Sequence, residues 1–182
     1  METINLCIAH QKSIVDDVLS FSKLDSAMLT LSPKPTQPDR QIRMSLRMLQ
    51  PEFRKKGCRF EYAVEEGYTA LNIDWVMADV HRISQVVINL MTNAIKFTCR
   101  DDGEKLITCR LSASRERPDS YPPDVVFFKT ESKWRPIDAT NKPEWTDGDP
   151  LYIMVAVKDS GIGISDEAQY VCSRVEPFLL IS

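Results

Sequence analysis

A chain of 182 residues is long enough for one folded domain with attached structure and a sizeable core. Its 23 Lys plus Arg against 26 Asp plus Glu give a net charge of −3, so no basic excess exists to draw nucleic acid. No apolar run reaches the ~20 residues of a membrane span and no basic-then-apolar leader opens the chain, so a cytoplasmic protein is expected. Five cysteines (Cys7, Cys58, Cys99, Cys109, Cys172) are an odd number without C-x-x-C spacing, which reads as reduced thiols. His10 and His81 have no evident partners for a metal cluster.

Residues 3–29 carry a helical pattern. Ile4, Cys7, Ile14, Val18, Phe21 and Met28 recur in alternating three- and four-residue steps broken by Gln11 and Asp25, and Ile8, Val15, Leu19 and Leu24 widen the stripe. So broad an apolar face calls for a partner helix, which the neighbouring sequence does not offer. Ser32–Asp39, with Pro33, Pro35 and Pro38, reads as a semi-rigid linker. Helical spacing returns over 40–56 with Ile42, Leu46, Leu49 and Phe53 inward. Pro51 should kink or split that helix, and Gly57 should stop it. Arg59–Val64 alternates as a strand, and a second strand pair is predicted around 71–73 and 75–77. Asp79 reads as the N-cap of the next helix.

His81 to Thr98 is the most informative stretch. At 3.6 residues per turn Ile83, Val87, Leu90 and Ala94 share one face with Val86 beside them, while Arg82, Gln85, Asn89, Asn93 and Lys96 share the other. A polar face is ordinarily only a solvated one. Asparagine, however, is a poor helix-interior residue, and two of them one turn apart are a local cost without a local benefit. An i,i+4 pair of amide oxygens can hold a hard cation and its waters, and Lys96 adds a charge for phosphate. Magnesium-bound polyphosphate lying along the helix suits that arrangement.

An acidic turn at 101–103 leads into a strand over 105–112. Residues 115–150 contain six prolines and little periodicity apart from 125–129, which suggests a surface insertion between neighbouring strands. Residues 151–157 are apolar on both parities, as in a central buried strand. They run into Asp159-Ser160-Gly161-Ile162-Gly163, where two of the chain's six glycines stand. Alone, D-x-G-x-G also marks an ordinary turn.

Together these motifs carry a resemblance. R-x-x-Q at Arg82 and Gln85, then N-L-x-x-N-A-x-K-F-T from Asn89 to Thr98, resembles the N box of the sensor histidine kinases, in the Bergerat-fold (GHKL) ATPase superfamily. Other branches typically carry glutamate at the Asn89 position. The D-x-G-x-G stretch resembles that family's G1 box, and residues 8–24 resemble the second helix of the dimerisation hairpin in hybrid kinases. The Pro-rich stretch, with Glu144-Trp145 near its end, is similar to an insertion of fungal hybrid kinases. The resemblance covers residues 3 to 169.

The resemblance implies a two-layer α/β sandwich with a mixed sheet on the central and 40–56 helices, C-terminally truncated, with a projecting N-terminal helix. Residues 1–31 would be the hairpin helix and 32–39 the linker. Residues 40–169 would be the ATP-binding domain, with the insertion at 113–150, and 170–182 a tail outside the family. ATP and magnesium are the implied cofactors. Asn93 would hold the metal, Asn89 its hydration shell, and Lys96 phosphate. Phe97 would pack near the ribose, and Asp159 with Gly161 and Gly163 would take adenine. Arg82 reads as solvated.

The pattern also departs from the family. No acceptor histidine in a sequence like S-H-E-L-R-T-P is present, and His10, followed by Gln11-Lys12, lacks the adjacent acid that would activate it. No aromatic F box or glycine-rich G2 box comes after 165–169, so the phosphate-holding lid is missing. A fragment or mis-spliced product is the expected explanation. The implied function is the ATP-binding portion of a histidine protein kinase in a two-component phosphorelay, inactive alone, with a receiver-domain partner in the parent family. Two alternatives are an interaction module, in which helix 3–29 pairs with itself or with a full-length kinase, and a truncation product without function.

Overall fold

Strand β4 (Leu106–Ser114) sets the layering, because its alternation leaves Ile107, Cys109, Leu111 and Ala113 buried on one face. In the computed structural model, residues 31–99, 103–116, 118 and 148–163 are described. The chain divides between Ser32 and Pro33, and every element discussed belongs to the second part. The helix predicted over 3–29 with His10, most of the Pro-rich insertion, and the tail at 170–182 lie outside the described residues.

The described elements run β1 (Lys34–Thr36), α1 (Pro38–Lys56), β2 (Arg59–Val64), α2 (Glu66–Ala70), β3 (Val76–Ala78), α3 (Val80–Thr98), β4 and β5 (Tyr152–Asp159). The main sheet has the order β2-β4-β5. β2 pairs parallel with β4 from Arg59↔Leu106 to Val64↔Leu111. β5 pairs antiparallel with β4 from Ile107↔Asp159 to Ser114↔Tyr152. A parallel pair needs a long crossover, and the one from β2 to β4 contains α3. The result is a two-layer α/β arrangement with a mixed sheet, as the sequence predicts.

α1 and α3 form the second layer. α1 opens with Pro38 in its first turn, where a missing N–H costs nothing, and ends on three basic residues before Gly57. Gly57 takes φ +66°, and the N–H of Cys58 bonds back to the Phe53 carbonyl at 2.9 Å. Ile42, Leu46, Leu49 and Phe53 are its buried face, as expected. Phe53 stacks on Phe60 of β2 with centroids 4.7 Å apart. On α3 the Asp79 carboxylate accepts from the backbone N–H of His81 at 3.0 Å and of Arg82 at 3.2 Å, so the predicted N-cap is present. Gln41 on α1 donates to the Ser84 hydroxyl on α3 at 2.8 Å.

Several expectations change. The 32–39 linker instead contains a strand, with β1 pairing antiparallel to β3, and the first turn of α1. Pro35 tolerates this because a short two-stranded ribbon makes little demand on one missing donor. Pro51 does not split α1, which is continuous. Both Pro51 and Arg47, whose carbonyl loses its donor, are exposed, so water can take that bond. Residues 71–73 form no strand. The chain coils into α2, and Asn72, at φ +48°, bonds its N–H to the Thr69 carbonyl at 3.1 Å. Among the described strands β4, not β5, is central, and along β5 only Val157 is fully buried. β5's second apolar face is half-buried, which is why apolarity on both parities misled.

Tyr62 of β2 ties the sheet to α1 through its hydroxyl, which donates to Asp39 at 2.8 Å, and through Arg43, whose guanidinium lies 4.6 Å from its ring centre. Burial first, and the Asp39 carboxylate second, raise its pKa above the ordinary 10.0. The unfolded chain therefore releases this proton near pH 10 while the folded chain keeps it. Tyr62's contribution is complete below pH 10 and declines as pH rises beyond it. Urea unfolding between pH 9 and about 11 should show stability falling with pH, and falling less steeply in Tyr62→Phe.

Candidate nucleotide-binding site

α3 presents two faces. Val87, Met91, Ala94, Ile95 and Thr98 are buried, with Met91 at 0% and Ile95 at 1% exposure. The buried stripe is thus centred on Met91, one position round from the predicted centre. Ile83 and Leu90 are half-buried against the core, and Val86, expected beside the apolar face, is exposed on the opposite side. Asn89, Asn93 and Lys96 are all exposed. The burial of Met91 and Ile95 explains why: at 100° per residue Asn89 and Asn93 fall roughly 120–160° round from them, and Lys96 roughly 100–140°. The two amides therefore stand one turn apart on open helix surface, with Lys96 close behind.

At the far end of β5 the chain turns. Asp159 is the last strand residue, and its carboxylate accepts from the Gly161 N–H at 2.9 Å, closing a short Asx turn. Gly161 lies against the C-terminal end of α3. A Cβ built there would stand 2.8 Å from the carbonyl carbon of Phe97, 2.9 Å from its oxygen, and 2.7 Å from Asp159 Oδ1. Only glycine fits. Gly163 is different: it has φ +69° with nothing within 4 Å, so its requirement is backbone conformation alone.

The structure thus joins three of the predicted residues directly, Asp159, Gly161 and Phe97. Lys96 is adjacent, its Nζ 5.5 Å from the Phe97 ring centre. At 1.5 Å per residue Asn93 lies roughly 6 Å and Asn89 roughly 12 Å further along the axis from Phe97. Arg82, read as solvated, is instead half-buried and donates to Gln85 at 2.8 Å. Thr98, the last motif residue, is turned into the core, and its hydroxyl is the one buried side-chain polar atom among the described residues without a partner.

Ser160 escaped the sequence reading. Its N–H donates to the Leu106 carbonyl at 3.0 Å, its hydroxyl accepts from the Leu106 N–H at 3.0 Å, and that hydroxyl donates to the Glu104 carbonyl. The D-x-G turn is therefore stitched to the start of β4. A serine between Asp and Gly is unremarkable in sequence, because its partners lie over fifty positions away.

The chemistry of this donor set fits a nucleotide bearing its own cation. Among the described residues no group of three or more His, Cys, Asp or Glu could hold a metal. Amide oxygens alone bind a divalent ion weakly, whereas magnesium commonly completes its shell with phosphate oxygens and water. Asp159 keeps a second carboxylate oxygen beside the glycine turn.

The chain is similar to several histidine kinases. Histidine protein kinase 1 of Candida albicans is 30% identical over 171 residues, covering 86% of this chain. Histidine kinase 2 of Arabidopsis thaliana is 25% identical over 177 residues, again covering 86%. The chain spans 5% and 14%, respectively, of those two proteins. Among solved structures, full-length ShkA in complex with AMPPNP matches 58% of this chain and 20% of its own, at 30% identity and a TM-score of 0.45. No protein-family model matches the chain. Both motifs of this α/β domain stand at the junction of α3 and β5. The chain is a relative of the histidine kinases.

Gly161→Ala should force the turn away from Phe97 and destabilise the chain by about 1–3 kcal/mol, measured by urea unfolding. Gly163→Ala should cost only the left-handed conformation, about 1 kcal/mol. Equal costs would contradict the contact.

Proposed function

We propose that this chain is the nucleotide-binding portion of a histidine protein kinase and binds magnesium ATP across the α3–β5 junction. The carrying observation is the seat of Gly161 on the Phe97 carbonyl, which sets the D-x-G-x-G turn against the helix bearing Asn89, Asn93 and Lys96. Asp159 accepts a hydrogen bond from the adenine amino group. Guanine presents a carbonyl at that position, and two acceptors facing each other in a half-buried site repel, so the carboxylate selects adenine. Gly161 draws the turn in against α3, Gly163 leaves the ring face clear, and Phe97 flanks the ribose.

Asn93 holds the magnesium that arrives with the triphosphate, Asn89 orders its waters, and Lys96 lies against phosphate oxygens. Held there, the cation would spread phosphate charge and favour transfer of the terminal phosphoryl group. These residues bind and orient; none is a nucleophile. The histidine that accepts phosphate comes from another segment or chain. Helix 3–29 then pairs with a second copy or a full-length kinase, and a response-regulator receiver domain takes the phosphoryl group onward. In this scheme residues 1–31 form the pairing helix and residues 40–169 the ATP-binding domain, interrupted at 113–150.

Titration calorimetry of the full chain with Mg-ATP and Mg-GTP tests the site. Binding should be selective for ATP, and Asp159→Asn should lose that selectivity with at least a tenfold fall in affinity, about 1.4 kcal/mol. Asn93→Ala should weaken Mg-ATP while leaving magnesium-free ADP nearly unchanged. Equal binding of GTP, or no heat from the folded chain, contradicts the assignment.

A further inference from the structure

Cys58 and Cys99 are 41 positions apart in sequence, yet their Sγ atoms stand 3.2 Å from each other. We propose that they are a reversible disulfide-forming pair, an oxidative modification site at the C-terminal end of α3. The inference is independent of nucleotide binding.

Two helix ends create the encounter. Cys58 follows the left-handed Gly57, with its N–H held by the Phe53 carbonyl at 2.9 Å. Cys99 caps α3, with its N–H held by the Ile95 carbonyl at 3.2 Å. Both thiols also lie 4.0 Å from the Lys56 carbonyl. Backbone hydrogen bonding thus presents the sulfurs to each other. Bonding at about 2.05 Å requires them to close by roughly 1 Å, within reach of side-chain rotation and small shifts at two helix ends.

The two thiols differ in a useful way. Cys58 is buried at 9% exposure, and burial first, then the neighbouring Cys99, pushes its pKa up to about 11. Cys99 is half-buried and is the thiol an oxidant reaches first. Cys109, by contrast, is fully buried in β4, and burial pushes it up to about 12, the state of an inert structural thiol.

With a small-molecule disulfide such as oxidised glutathione as oxidant, the exchange balances. The Cys99 thiolate attacks one glutathione sulfur and expels the other as a thiolate. Cys58 then loses its proton to water, and its sulfur attacks Cys99 in the mixed disulfide, expelling the second glutathione. Two protein thiols are oxidised, one glutathione disulfide is reduced to two thiols, and the two protons pass through water to the leaving groups. The small thiolate fraction of buried Cys58 makes the second step the slower one.

The full chain is equilibrated with mixtures of reduced and oxidised glutathione, quenched in acid, alkylated and mapped by peptide mass spectrometry. A Cys58–Cys99 linked peptide should accumulate and disappear again with dithiothreitol. Cys58→Ser should instead trap Cys99 as its glutathione adduct. Oxidised wild type should melt higher by roughly 10 °C, since the bond closes a long loop. Should wild-type Cys99 remain a glutathione adduct in excess oxidant, or should either cysteine link to Cys7, Cys109 or Cys172 instead, the proposal is overturned. Wild-type mapping stands alone if a serine variant fails to fold.

Discussion

The absence of a side chain at residue 161 is the constraint on which the candidate site depends. The turn after β5 can rest on the Phe97 carbonyl of α3 only because no Cβ intervenes, and the two motif-bearing segments meet only because the turn rests there. Ser160 supports the same contact from below by tying the turn to Leu106 and Glu104. Sheet and helix thus share one joint, and motif residues separated by more than sixty positions in sequence sit on either side of it.

The helix contributes by being two things at once. Burial of Val87, Met91 and Ile95 at 0–1% exposure anchors α3 to the sheet, and that anchoring turns Asn89, Asn93 and Lys96 outward. The local disadvantage of two asparagines in a helix interior is tolerated because the opposite face is so thoroughly packed. Asp79 secures the other end with two backbone hydrogen bonds, so the helix is held at its start by a cap and near its end by a neighbouring turn. A rigid rod with a polar outer face is a sound base for a charged ligand.

Much of this was legible in sequence where the signal was local. The inner positions of α1, the Gly57 stop, the β2 strand and the Asp79 cap all follow from spacing and capping chemistry within a few residues. Some of what failed was set by partners distant in sequence, and some by local contacts that spacing does not reveal. The β1 strand exists only because Val76–Ala78 lies beside it. Residues 71–73 have strand composition, but the turn ending α2 at Asn72 takes them over. Val86 lies exposed, and Met91, which the spacing assigned to neither face, is buried, because the sheet's position, not the helix alone, decides which apolar residue faces inward. In the candidate site, the motifs point to residues but not to their contacts: the seat of Gly161, the tether through Ser160 and the bond between Arg82 and Gln85 appear only in the fold.

The central claim is that the outer face of α3 and the turn after β5 serve one ligand. Manganese can replace magnesium and broadens nearby nuclear resonances. In an isotope-labelled chain with excess ATP and traces of manganese, the side-chain amides of Asn89 and Asn93 and the Gly161 amide should broaden together, while the Asn72 side chain stays sharp. All three should remain sharp when manganese is added without nucleotide. Broadening without nucleotide, or at the asparagines with Gly161 untouched by ATP in shift and width, would contradict a single site.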